Sequence, residues 1–134
     1  MTDRRPQGLL DTCVVIDLPM LDPRLLPVEA AVASIVLAEL AQGVAMARDP
    51  VETMARAERL ADVEAAFAAI PFDREAARRF GSLVALTLKA DRNPRPRRMD
   101  LMIAATAAAQ GLPLYTRNAA DFRGLEDGVE IIAV

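Results

Sequence analysis

Residues 9–16, which read Leu-Leu-Asp-Thr-Cys-Val-Val-Ile, place one carboxylate inside an otherwise apolar segment. Short apolar runs of this kind are typical of buried strands, and we expect a strand whose end presents Asp11. A carboxylate enclosed by Leu9, Leu10, Val14 and Val15 loses solvation, so it needs a partner or must take up a proton. The neighbouring sequence offers no Lys or Arg to neutralise Asp11. This carboxylate is therefore the first candidate for a functional residue.

Similar apolar runs recur along the chain and alternate with helical patterns. The further strands are predicted near residues 31–34, 69–72, 113–116 and 129–132, and the helices near residues 35–46, 50–67, 74–89 and 101–110. This alternation predicts an α/β, three-layer domain in which a mainly parallel sheet of about five short strands is flanked by helices. The sequence shows no internal repeat and no dividing linker, so we expect residues 1–134 to form a single domain.

The ends of several predicted helices carry ordinary stop and start signals. Ser34 and Asp73 are suited to be N-caps, because their side chains can accept from free amides of the first turn. Gly111 is a typical C-terminal stop. Residues 91–98 contain two prolines, which cannot continue the preceding helix, and four arginines. They are predicted to form an exposed basic loop.

The composition excludes several kinds of chemistry. The chain of 134 residues has no His and only one Cys, Cys13. An intrachain disulfide, a Cys/His zinc site and a Ser-His-Asp triad are therefore impossible. The net charge of -3 provides no general attraction for nucleic acid, so a polyanionic substrate requires a local basic patch or a bound cation.

The sequence also bears on location. Its longest nearly apolar stretches, residues 30–38 and 101–109, fall well short of the ~20 residues that span a bilayer. The charged start is followed only by a short apolar pair that Asp11 interrupts, which is unlike a secretory signal. We expect a cytoplasmic protein without a membrane segment.

Four carboxylates follow strands or begin the helices after them: Asp11, Glu39, Asp100 and Asp121. Ligands of open parallel sheets bind at the carboxyl ends of the strands, so these side chains converge if the strand order is that of related doubly wound folds. Ordinary explanations also exist, because Asp100 suits a helix start and Asp121 a turn. Glu39 is less easily explained, since it interrupts an apolar helical run.

Electrostatics favour a metal at such a cluster. Two carboxylates ~5 Å apart at an effective dielectric constant of ~20 repel each other by about 3 kcal/mol, and a divalent cation relieves this repulsion. Oxygen-only coordination favours Mg²⁺ or Mn²⁺. Such an ion can acidify an attacking water without any histidine.

At this point the sequence resembles PIN-domain ribonucleases, and among them the VapC-like toxins of type II toxin-antitoxin pairs. The resemblance rests on four segments in order, residues 9–12, 34–40, 100–107 and 116–122. It implies a metal-dependent endoribonuclease in which Mg²⁺ or Mn²⁺ is held by Asp11, Glu39 and Asp100, with Asp121 as the fourth carboxylate. It also implies an RNA substrate, a small VapB-like antitoxin that often places an Arg among the carboxylates, and a homodimer.

The supporting residues are Thr12, Thr116 and Asn118, of which Thr116 and Asn118 would orient the carboxylates in the family. Arg97 and Arg98, just before Asp100, could bind RNA phosphates, or they could belong to a solvated loop that charge keeps soluble. The sequence leaves these two interpretations evenly balanced.

Three other functions stay open. A phosphoryl-transfer enzyme would use Asp11 as phosphate acceptor, but such phosphatases usually carry a second Asp where this chain has Cys13, and receiver domains need a late Lys where the only Lys is Lys89. A non-catalytic module would use the acidic pocket only to bind RNA or a partner. A housekeeping RNA-processing nuclease would share the chemistry without the toxin role.

Overall fold

The computed structural model describes residues 4–134. Within them, five strands form one sheet, and each strand is parallel to its neighbours. The strands are Gln7–Leu10 (β1), Glu29–Ala33 (β2), Ala68–Ile70 (β3), Leu114–Thr116 (β4) and Ile131–Ala133 (β5). Their spatial order is β3-β2-β1-β4-β5. The prediction of a mainly parallel α/β sheet with about five short strands is confirmed.

In the described part of the chain, five α-helices flank this sheet: Thr12–Asp17 (α1), Ser34–Ala45 (α2), Pro50–Ala66 (α3), Arg74–Lys89 (α4) and Arg98–Gln110 (α5). Neighbouring residues of the central strands are fully buried, including Leu9 and Leu10 in β1. Because successive side chains of a strand point to opposite faces, both faces of the sheet are covered, as in a three-layer fold. Among the helices of residues 4–134, none combines the length and the apolar character that crossing a bilayer requires.

Two local predictions need correction. Val14, Val15 and Ile16 lie in helix α1, which begins directly after Asp11 because the Asp11 carboxylate accepts from the Thr12 amide as an N-cap. Ser34 is the first residue of α2 and not its cap; Ala33 holds the cap position, without a side-chain hydrogen bond. Strand β2 runs into the helix with no residue between them, so no polar side chain stands at the cap.

Other helix ends agree with the sequence. Asp73 caps α4 by accepting from the Ala76 amide at 2.9 Å, and Gly111 ends α5 in the left-handed conformation at φ 65. The basic segment does end α4 at Lys89. Its second half is not an open loop, however, because residues 95–97 form a 3-10 turn that leads straight into α5.

The strand order determines where a site can form. Strand β1 lies at the centre between β2 and β4, and the chain moves outward from it in opposite directions through β2 and β3 on one side and β4 and β5 on the other. The carboxyl ends of β1 and β4 therefore meet at the switch point of the sheet, where ligands bind in folds of this class. Asp11 directly follows β1, and the segment containing Asp121 follows β4.

Candidate active site

Asp11 lies at the bottom of this edge with only 5% of its surface exposed. Its Oδ1 accepts from the Thr12 amide at 2.9 Å, and its Oδ2 accepts from the Thr116 hydroxyl at 2.8 Å and from the Cys13 thiol at 3.4 Å. The partners that burial requires are thus neutral donors, which satisfy the oxygens without cancelling the charge. The negative charge of Asp11 remains available to a cation.

Cys13 acts here as a donor and not as a nucleophile. Burial raises the pKa of its thiol, hydrogen bonds with the Arg117 amide and the Thr116 hydroxyl partly oppose this shift, and the nearby Asp11 adds a smaller increase. The thiol therefore stays protonated, whereas nucleophilic cysteines need a lowered pKa.

Thr12 connects two of the predicted carboxylates. Its amide donates to Asp11, and its hydroxyl donates to Oε1 of Glu39 at 2.7 Å. Glu39 is half-buried in α2, so the interruption of the apolar run marks the position where the helix faces this pocket. The two carboxylates are held in a fixed relation by one residue at the start of α1.

Asp100 lies in the first turn of α5, and the pKa of its carboxyl is affected by the other three predicted carboxylates. Burial raises the pKa of this carboxyl from 3.8 to about 6, with further contributions from the charges of Asp11, Glu39 and Asp121, and Arg97 partly opposes the shift. The contributions from the three charges require that these carboxylates lie near Asp100. The structure therefore brings the four predicted carboxylates together in one acidic pocket.

Asp121 lies in a 3-10 turn, residues 119–122, beyond β4. The guanidinium of Arg92 supports this turn, because its Nη1 donates to the carbonyls of residues 120, 121 and 123 at 3.0 to 3.3 Å. Asn118 is close by, and its backbone amide donates to the Thr116 hydroxyl at 3.0 Å. The predicted orienting role of the Asn118 side chain stays a prediction.

Arg97 lies inside the acidic pocket. Its Nη1 is 2.9 Å from Oδ1 of Asp121 and 3.8 Å from Oδ2 of Asp100. Arg98, in contrast, is exposed and donates to the carbonyl of Arg95 at 3.2 Å. The spacing of three residues between Arg97 and Asp100 is a helical pairing signal that the sequence contained, whereas the pairing with Asp121 has no local signal.

The donor set fits a hard divalent cation. It consists of carboxylate oxygens that repel one another, which Mg²⁺ and Mn²⁺ prefer. As the side chains stand, however, no three Asp, Glu or Cys residues within residues 4–134 are grouped closely enough to hold an ion. The four carboxylates share one pocket, but their side chains are farther apart than metal ligands are.

Sequence reasoning missed two basic residues beside Glu39. A cleft of about 300 Å³ adjoins this carboxylate and is lined in part by Arg56 and Arg59 of α3. Arg56 donates to the carbonyl of Gly43 at 2.6 Å and forms an ion pair with Glu52. Their spacing along α3 follows the helical repeat, but only the contact between α2 and α3 shows that they reach the pocket.

Comparison with known proteins places this fold in one class. Ribonuclease VapC5 of Mycobacterium tuberculosis is 40% identical over 134 residues, which cover 95% of this chain and 95% of the relative. The crystal structure of a member of the VapBC family of toxin-antitoxin systems, VapBC-5 from Mycobacterium tuberculosis, matches with a TM-score of 0.84 and 36% identity, over 96% of this chain and 99% of that chain. No protein-family model matches the chain.

A more distant structure shares the fold alone. VapBC2 from Rickettsia felis, solved bound to a DNA fragment from its promoter, matches with a TM-score of 0.77 at 20% identity, over 96% of this chain and 98% of that chain. Together these findings define the class as that of the PIN-domain proteins. Within it, the chain belongs to the VapC family of ribonucleases.

Proposed function

We propose that this protein is the toxin of a VapBC-type pair, a cytoplasmic endoribonuclease that hydrolyses RNA phosphodiester bonds with Mg²⁺ or Mn²⁺. The observation that carries the proposal is the acidic pocket in which burial, and then the charges of Asp11, Glu39 and Asp121, raise the pKa of Asp100 to about 6. A site with this excess of negative charge binds a divalent cation readily. We further propose that residues 1–134 act as one domain.

The metal ligands would be Asp11, Glu39, Asp100 and Asp121. When bound, the ion supplies a water of lowered pKa and neutralises charge on the phosphodiester. The residues of the chain orient the carboxylates that would bind the ion. Thr116, Thr12 and Cys13 fix the carboxylate of Asp11 by hydrogen bonds to both its oxygens, which reduces the reorganisation that ion binding requires.

The proposed partner is a small VapB-like antitoxin. The family relationship and the VapBC-5 complex among the similar structures support this assignment. A cleft of about 450 Å³ between α1 and α3 offers an apolar surface for such a partner, with Val15, Ile16 and Phe67 in its lining. Homodimer formation, which the family resemblance implies, stays a prediction.

Cleavage of end-labelled total RNA by the purified protein tests the proposal. The reactions contain Mg²⁺, Mn²⁺ or EDTA, and the Asp11→Asn variant runs beside the wild type. We expect discrete fragments only with metal and only with Asp11 intact. Asp62→Asn, which removes one exposed carboxylate from α3, is the matched control and should cleave as the wild type does.

Circular dichroism first establishes that each variant is folded. Cleavage that persists in EDTA, or in Asp11→Asn, would show that the fragments come from a contaminating nuclease or from another site. A folded, metal-loaded protein that cleaves no RNA would contradict the proposed activity.

The pairing of Arg97 with two of the carboxylates favours a second candidate, a non-catalytic binding module. In that case the guanidinium stays paired with Asp121 and offsets part of the charge of the pocket, and no ion binds. The same variants decide between the two, because a binding module keeps its affinity for RNA or partner in Asp11→Asn and cleaves in no condition.

A further inference from the structure

The acidic pocket contains a cation that belongs to the chain itself. The Arg97 guanidinium contacts Asp121 at 2.9 Å and is 3.8 Å from Asp100, and these two carboxylates are among the four proposed ligands. Its side chain is only 34% exposed, so it is drawn into the pocket and does not extend into solvent. One positive charge thus already offsets part of the carboxylate repulsion.

This position conflicts with the position of a divalent ion. An ion bound by Asp100 and Asp121 would carry two positive charges and would lie within a few ångströms of the guanidinium, which the same oxygens attract. Like charges at this range repel strongly. Moreover, as the side chains stand, no three acidic or Cys residues in residues 4–134 have the spacing of metal ligands.

The local backbone allows Arg97 to leave. It ends the 3-10 turn of residues 95–97 and holds the cap position of α5, without a side-chain cap hydrogen bond. Its side chain can therefore rotate outward without any loss of helical hydrogen bonds. The partial exposure of Asp100 and Asp121, 30% and 33%, leaves a path toward solvent.

We propose that Arg97 is an internal counter-cation that competes with the divalent ion for Asp100 and Asp121, so that metal binding requires its displacement from the pocket. This inference rests on the proposed metal-dependent function and adds a regulatory contact to that site. In the metal-free protein, Arg97 is therefore held by the carboxylates and is not free to contact RNA. A phosphate-binding role for Arg97 would begin only after the ion has displaced it.

Mn²⁺ affinity measures this competition without any RNA. Free Mn²⁺ is followed by electron paramagnetic resonance as it is titrated into the wild type, Arg97→Ala and Arg95→Ala. Arg95 is the matched control, because it lies in the same 3-10 turn but is exposed. We expect Arg97→Ala to bind Mn²⁺ at least about tenfold more tightly, because Asp100 and Asp121 no longer have to give up the guanidinium before they bind the ion. Arg95→Ala should stay within about twofold of the wild type, since its charge is screened by solvent.

Arg97→Gln provides a second variant if the alanine variant does not fold. It keeps hydrogen-bond donors for Asp121 but loses the charge, and it should show the same gain in affinity. Arg97→Lys keeps the charge and should stay close to the wild type. Equal or weaker Mn²⁺ binding in both uncharged variants would overturn the inference and indicate that Arg97 positions the carboxylates for the ion.

The outcome also separates this inference from the proposed function. Tighter Mn²⁺ binding in Arg97→Ala without RNA cleavage by any variant would support the competition and contradict the nuclease. RNA cleavage together with equal Mn²⁺ affinities of the wild type and Arg97→Ala would support the nuclease and contradict the competition. Failure of every variant to bind Mn²⁺ at millimolar concentration would overturn both.

Discussion

Replacing Asp100 with Asn should stabilise the metal-free protein at neutral pH and have little effect at low pH. Folding raises the pKa of this carboxyl from 3.8 to about 6, mainly because the group is buried and then because Asp11, Glu39 and Asp121 repel its charge. The folded protein therefore holds the Asp100 proton more tightly than the unfolded chain does. Ionisation of Asp100 costs stability, and the cost grows as the pH rises from about 4 to about 6.

The size of this effect follows from the shift. About two pKa units at about 1.4 kcal/mol each give a cost of about 3 kcal/mol above pH 6. Asp100 keeps 30% of its side-chain surface exposed, so screening by solvent reduces the cost. We expect Asp100→Asn to raise the free energy of unfolding by about 1–2 kcal/mol at pH 8, on the order of the penalty it removes.

Urea unfolding in EDTA, followed by circular dichroism at about pH 5 and about pH 8, measures this difference. Asp62→Asn controls for the loss of one negative charge, because its carboxylate is exposed on α3. Added Mn²⁺ should reverse the order at pH 8 by stabilising the wild type more than Asp100→Asn. A difference between the wild type and Asp100→Asn that is the same at both pH values would refute the reasoning, since only a titrating group makes it change with pH.

Three further substitutions test contacts around the pocket. Thr116→Val removes the buried hydroxyl that donates to Asp11 at 2.8 Å, and it should lower the free energy of unfolding by about 1–3 kcal/mol in urea titrations; an unchanged value would show that another donor replaces it. Arg92→Ala removes the donor to three carbonyls around Asp121, and it should speed hydrogen exchange in that turn while leaving β1 protected. Asp73→Ala removes the cap of α4 and should cost about 1 kcal/mol in thermal unfolding, without any change in Mn²⁺ affinity.

The architecture was predictable because buried strands and helices have recognisable patterns of apolar residues in the sequence. Strands covered on both faces appear as short apolar runs, and the helices between them show caps such as Asp73 and stops such as Gly111. The four carboxylates were predictable for a related reason. The ends of parallel strands share one edge, so acidic residues after different strands lie together once the sheet order is known.

The errors come from contacts that have no local pattern. Val14, Val15 and Ile16 are β-branched and favour strands, yet they form α1 because Asp11 caps it and Val14 and Val15 are buried in the core. The pairing of Arg97 with Asp121 joins residues 24 positions apart, on the 3-10 turn before α5 and on the turn after β4. No sequence periodicity predicts such a contact, since it exists only after the chain has folded.

Asp11 shows how one residue serves both the fold and the site. Its carboxylate begins α1 and is held by Thr12, Thr116 and Cys13, and all of these donors are neutral. A charged partner such as Lys would have satisfied burial equally well, but it would have cancelled the charge that attracts an ion. The chain instead keeps most of the repulsion among the carboxylates and offsets a part of it with Arg97, which is anchored to Asp121 at the exposed side of the pocket. The cost to stability is then recovered when a cation binds the folded protein, because a ligand that binds only the native state stabilises it in proportion to its affinity.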